Sequence, residues 1–121
     1  MADITAVQGT EGFVEHIPTA TAVAGDLVVP LSSSKDLIIL FDNTAVGAVT
    51  VDITPSTTAG TDLSAGKWTK AALSLSIPAS EQRSVVLKGT QLSAYLDGAG
   101  KVPCTYTSHD VGLLISAITA P

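Results

Sequence analysis

The chain has a single cysteine, Cys104, among its 121 residues. No disulfide can form within it, and a chain of this length needs none, because it buries roughly two thirds of its unfolded surface. A lone thiol fits a reducing compartment. Charge is also scarce: 14% of residues are charged, against roughly 25% in an average domain. Only three Glu, five Lys and one Arg are present, so a long solvent-exposed helix lacks its usual formers. The six basic residues are scattered, without a run or interleaved aromatics, which argues against direct nucleic-acid binding. Aromatics make up 4% of the chain, too few for the row of exposed rings that a sugar-binding surface would want. No apolar run reaches the roughly 18 residues that a membrane span requires. The start, Met1 to Thr5, has neither a basic n-region nor an h-region, so no secretory signal is expected.

What the chain does have is β-branched residues. Twelve Val, eight Ile and fifteen Thr form nearly a third of it, and such side chains fit a pleated, half-buried surface. The stretch Leu37 to Thr54 organises the rest. It opens with five apolar residues, Leu37 to Phe41, and passes through Asp42-Asn43-Thr44. It ends in an alternation of Val49, Val51 and Ile53 against Thr50, Asp52 and Thr54. The first half reads as a strand buried on both faces, the second as a strand with one dry face. A hairpin with its loop around Asn43 to Gly47 is predicted.

Further strands are predicted at Leu27–Val29, Ala72–Ile77, Arg83–Leu87, Val102–Thr107 and Val111–Ile118. Pro103 suggests that its strand lies at an edge. Gln91–Leu96 is either a strand or one helical turn. Ser56–Lys70 reads as a long polar loop, of the kind that tends to be functional, and Asp97–Gly100 as a tight turn. Seven to nine short strands with turns every 8 to 12 residues predict an all-β fold: an antiparallel β-sandwich or barrel, jelly-roll-like, with an extended N-terminal arm. The arm covers residues 1–30, with short strands of its own, and the sandwich residues 31–121. The arm pairs with a neighbouring subunit or forms an ordinary edge strand.

No constellation for catalysis stands out. His16 and His109 each have an acidic neighbour but lie far apart, and zinc sites usually show closer ligand spacing. No metal site and no cofactor is therefore expected, although His16, Cys104 and His109 could meet in space. Cys104 with His109 is a formal thiol–imidazole pair, yet Cys104 shares a face with Val102 and Tyr106 and reads as a small buried hydrophobe. Asp36, Asp42, Asp52 and Asp62 have no EF-hand spacing, and Asp42-Asn43 favours a turn. No Gly-x-Ser-x-Gly elbow occurs. The remaining recognition candidates are Trp68, either a loop contact or a core plug, and Phe13, Val14, His16 and Ile17 in the arm.

The run DLIILFDNTAVGAVTVDITPS, the later LSLSIPASEQRSVVLKG and the apolar closing strand resemble the small head-decoration, or capsid-cement, proteins of tailed bacteriophages. The resemblance covers about Asp36 to Ile118, with Asn43, Thr44, Val49 to Thr54, Pro78, Ala79 and Arg83 at its turns and strands. It implies a structural protein without catalytic residues, made in the host cytoplasm and carried on the capsid surface of the virion. Its partner would be the major capsid protein, and it would assemble as a dimer or trimer. The alternative expectation is a non-catalytic binding module, such as a carbohydrate-binding or adhesin-type sandwich. An enzyme is not expected.

Overall fold

The computed structural model describes residues 2–8, 19–20, 25–32, 34–44, 46–55, 59–62, 66–69, 72–107 and 112–120. The strands are β1 (Ala2–Thr5), β2 (Val7–Gln8), β3 (Thr19–Ala20), β4 (Gly25–Val29), β5 (Leu37–Asn43), β6 (Val49–Ile53), β7 (Ala59–Asp62), β8 (Gly66–Thr69), β9 (Leu73–Ile77), β10 (Gln82–Leu87), β11 (Val102–Thr107) and β12 (Leu113–Thr119). A 3-10 turn spans Leu92–Tyr95. Among the described residues no helix is long and apolar enough to cross a membrane.

Two sheets form a sandwich. The first has the order β1-β4-β11-β6-β9, the second β10-β5-β12-β2, with β3 also pairing β12. Three antiparallel pairs are nested: β4 with β11, β5 with β10 and β6 with β9. This is one long hairpin folded over on itself, the plan of a jelly roll, with the middle pair in one layer and the outer and inner pairs in the other. The β6–β11 pairing completes the first sheet, and β12 extends the second along the far side of β5.

The period-two alternation of each strand fills the space between the sheets. Leu37, Ile39 and Phe41 from β5, Val49, Val51 and Ile53 from β6, and Leu113 and Ile115 from β12 are all at most 1% exposed. Burying each such side chain contributes about 1.5–3 kcal/mol. Leu92, Ala94 and Tyr95 of the 3-10 turn join the same core, so Gln91–Leu96 takes the helical-turn alternative.

The predicted hairpin of Leu37 to Thr54 is not formed. Both halves are strands, but β5 pairs only with β10 and β12, while β6 pairs with β11 and β9. The chain switches layers between them. Asn43 makes the switch: it is the last residue of β5 rather than part of an open turn, it is fully buried, and its Nδ2 donates to the carbonyls of Gly47 (2.9 Å), Ile77 (3.0 Å) and Pro78 (3.3 Å).

The expectation for Pro103 is also corrected. β11 lies inside the first sheet, between β4 and β6. Its neighbours are staggered: β4 pairs with residues 102–105 and β6 with residues 105–107. At Pro103 only one neighbour is in register, so the missing N–H costs no ladder bond. Within Ser56–Lys70, the predicted loop, β7 and β8 form a two-stranded hairpin. Apolar alternation is absent there, so periodicity had nothing to read.

The N-terminal segment is extended and crosses from one sheet to the other. β1 runs parallel to β4 at the edge of the first sheet, and β2 runs parallel to β12 in the second. Between them the Ala6 N–H donates to the Val29 carbonyl (2.9 Å), and Ile4 and Ala6 are buried. Lys101 holds the strand from outside through Asp3 (2.7 Å). One flank of the sandwich is closed in this way.

Candidate functional site: the outward face of the second sheet

Strand β5 is apolar at both parities. Its odd residues enter the core, and its even residues Ile38 and Leu40 point outward and are half-buried. Register extends that character sideways. Ile38 lies beside Val86 of β10 and Ile118 of β12, and Ile118 lies beside Val7 of β2. The row Val86–Ile38–Ile118–Val7 therefore crosses four strands, with Val86 49% and Val7 40% exposed. The next row is Ser84–Leu40–Ser116, and the third is Gln82–Asp42–Leu114. A groove of ≈ 320 Å³ lies along the last two rows, lined among others by Leu40, Asp42, Gln82, Ser84 and Ser116. Most of its lining side chains can hydrogen-bond.

Leu37 to Phe41 was expected to be buried on both faces. The core covers one face, and the other is the outward surface just described. A five-residue apolar run describes equally well a strand covered twice within its own chain and a strand whose second cover comes from elsewhere. Val86, Leu114, Ile118 and Val7 were not singled out in the sequence, because only strand register shows that they join Ile38 and Leu40.

The predicted contact residues stand as follows. Phe13, Val14, His16 and Ile17 lie outside the described residues, as does His109. Trp68 is on β8, opposite Gly60 in register, and its side chain lies outside what is described. Among the described residues no three His, Cys, Asp or Glu side chains cluster as metal ligands would.

A second polar feature lies inside the sandwich. Asp26 of β4 is fully buried and accepts a hydrogen bond from the Tyr106 hydroxyl (2.8 Å); across the ladder it faces Cys104, also fully buried. Burial, with the Asp26 carboxylate as a smaller cause, pushes the Cys104 thiol up to about 12. At neutral pH the group is a protonated thiol on the same face as Val102, as its alternation implies. Burial also raises the Tyr106 phenol, assisted by Cys104 and Asp26.

Both groups have a folded pKa above the unfolded one. Their contribution is complete below the unfolded value and is lost as pH rises through the folded one. Stability is thus expected to fall from about pH 9 upward, by roughly 1.4 kcal/mol per pH unit for each proton involved. Urea unfolding between pH 8 and 11 checks this, and Cys104→Ala should flatten the first part of the decline. An unchanged slope in that variant would remove Cys104 from the account.

Elsewhere the acidic side chains do structural work. The Asp97 carboxylate accepts from the Lys101 N–H (3.0 Å) and the Ala99 N–H (2.8 Å) and closes the turn before β11. Those two backbone bonds hold its carboxyl below the usual range. Asp36 accepts from the Gly89 N–H (2.7 Å), which lowers its pKa likewise, with help from Lys88. Compared with family models, with curated proteins and with solved structures, the chain matches none.

Proposed function

We propose that this chain is a structural virion protein that binds the outer surface of a mature phage capsid and stabilises it by bridging shell subunits. The observation that carries this reading is the apolar row Val86–Ile38–Ile118–Val7 on the outward face of the second sheet. A contiguous apolar face on a small domain marks an interaction surface, and the groove beside it offers polar groups to fix register. The resemblance of the strand and turn pattern to capsid-cement proteins suggests the partner, the major capsid protein. In this reading the chain has no chemistry of its own and takes no cofactor. It acts by mass action: a ligand that binds only the mature shell stabilises that shell.

Two measurements test the proposal. Quantitative mass spectrometry of purified particles should find the chain in a fixed ratio to the shell protein. Its absence from particles, together with glycan binding, would instead favour a non-catalytic binding module. In capsids lacking the chain, re-binding should be weakened by Ile38→Lys and by Ile118→Lys. A central contact is worth about 2 kcal/mol, or roughly 30-fold in affinity, per residue. Both sites are half-buried on the outward face, where a lysine stem can lie along the surface, so the fold should persist by circular dichroism. Undiminished binding by the doubly substituted chain would exclude this face.

A further inference from the structure

Most of the described carboxylates are answered from within the chain. Asp3 is held by Lys101, Asp26 by the Tyr106 hydroxyl, Asp36 by Lys88 and the Gly89 N–H, Glu81 by Arg83, and Asp97 by two backbone N–H groups. Among the described residues, the carboxylates of Asp42 and Asp52 have no such partner. Asp52 lies on the outward face of the first sheet, between Ser74 and Thr105 in register. Asp42 lies in the groove of the second sheet.

The surroundings of Asp42 offer more than a charge. Leu40 stands two residues before it on the same face, roughly 7 Å along the strand. On β10, Gln82 lies beside Asp42 and Ser84 beside Leu40. The Gln82 amide and the Ser84 hydroxyl are exposed, and neither has a partner among the described residues. Among those residues the cation that lines the groove is Arg83. Its guanidinium donates to the Gln82 carbonyl (2.8 Å) and to Glu81 (3.2 Å). Glu81 therefore answers the charge of Arg83, and that of Asp42 is left uncompensated.

We propose that the groove receives an arginine side chain from the protein that docks on this face. Asp42 takes two N–H groups of the guanidinium, and the rest of the planar fork reaches the Gln82 and Ser84 oxygens in charge-assisted hydrogen bonds. The methylene stem lies along Leu40, as such stems do on apolar surface. An anion would be repelled by Asp42. A lysine would meet Asp42 as a point charge, without a fork to engage Gln82 at the same time. Ile38 lies two residues beyond Leu40 on the same face, so the segment that carries the arginine continues over the apolar row. The partner's contact is thus one basic side chain beside apolar ones. That this partner is the shell protein rests on the capsid reading; the guanidinium site is testable without a capsid.

The experiment is a titration of the isotope-labelled full chain with n-butylguanidinium chloride, followed by amide chemical shifts, against sodium chloride at the same ionic strength. Saturable shifts are expected at Leu40 to Asp42 and Gln82 to Ser84 with the guanidinium salt alone. Asp42→Asn keeps the size of the side chain and should weaken this binding at least roughly 10-fold. Asp52→Asn, on the other sheet, should leave it unchanged. Equal shifts with sodium chloride, no shifts at these amides, or undiminished binding by Asp42→Asn would each overturn the proposal. So would a neutral methyl glycoside that shifts these amides where the guanidinium salt does not, which would assign the groove to sugar hydroxyls. Re-binding to capsids that lack the chain separates the two readings. Loss in Ile38→Lys with none in Asp42→Asn would overturn the arginine site and leave the capsid reading standing. Guanidinium binding at Asp42 without any capsid binding would uphold the site and overturn the capsid reading.

Discussion

Asn43→Leu is expected to lower the melting temperature more than any surface change in this protein. Leucine matches asparagine in length and can fill the site, so the loss is one of hydrogen bonding and not of volume. The Asn43 amide donates to Gly47, Ile77 and Pro78, three carbonyls on two different segments. Gly47 belongs to the crossing that leads from β5 to β6, and Ile77 and Pro78 begin the crossing that leads from β9 to β10. One side chain therefore secures two of the places where the chain changes layers. A buried carbonyl left without its donor costs about 1–3 kcal/mol. With the Ile77 bond fully buried and the other two partly so, a loss of roughly 3 kcal/mol follows, equivalent to about 10–15 °C at this chain length. Calorimetry and urea unfolding would check it. A melting temperature within two or three degrees of the parent would mean that water replaces the amide and that Asn43 is not what holds the crossings.

Gly25→Ala is expected to be at least as damaging, for a different reason. Gly25 opens β4 with φ of 141°, a conformation that side chains disfavour. A Cβ there would lie 2.3 Å from the Cys104 carbonyl oxygen and 3.2 Å from the Thr105 Cα. Both obstacles are backbone of the neighbouring strand, so neither can swing aside. Either β4 separates from β11 at this point or the conformation changes at its start. The strain and the lost pairing together amount to roughly 3 kcal/mol or more. The displacement would also disturb Asp26, the next residue, and its 2.8 Å bond to Tyr106. Hydrogen exchange should show lost protection concentrated in β4 and β11. A variant with the parent's urea midpoint and unchanged exchange would show that the close approach is not required.

Neither residue announces its role in the sequence. Asn43 sits in Asp42-Asn43-Thr44, which turn chemistry describes as an exposed reversal. Turn propensity registers that the chain changes course there. Whether the amide faces solvent or three carbonyls depends on where β9 ends, thirty-odd residues later. Gly25 lies between Ala24 and Asp26 in a segment with weak alternation, and the need for a glycine comes entirely from β11.

The same division runs through the whole molecule. Side-chain alternation is a local property, set by the pleat of a single strand. Together with short apolar, β-branched runs, it was enough to place β5, β6, β9, β10, β11 and β12 within a few residues of their ends, to assign Cys104 to the core face of its strand, and to name an all-β sandwich or barrel. The tight turn at Asp97 was equally legible, because the carboxylate bonds to backbone only two and four residues away. Pairing is not local. Alternation cannot tell a strand that turns back on its neighbour from one that crosses to the other layer, so the hairpin of Leu37 to Thr54 was expected where a layer switch exists. Stagger between neighbouring strands is likewise absent from any one segment, and it placed Pro103 inside a sheet. The outward face rests on the same distinction. The residues of Leu37 to Phe41 determined that β5 would have two apolar faces. Only the register of β10, β12 and β2 decided that one of those faces would gather Val86, Ile118 and Val7 beside Ile38, because neighbours across a sheet are set by pairing between segments far apart in the chain.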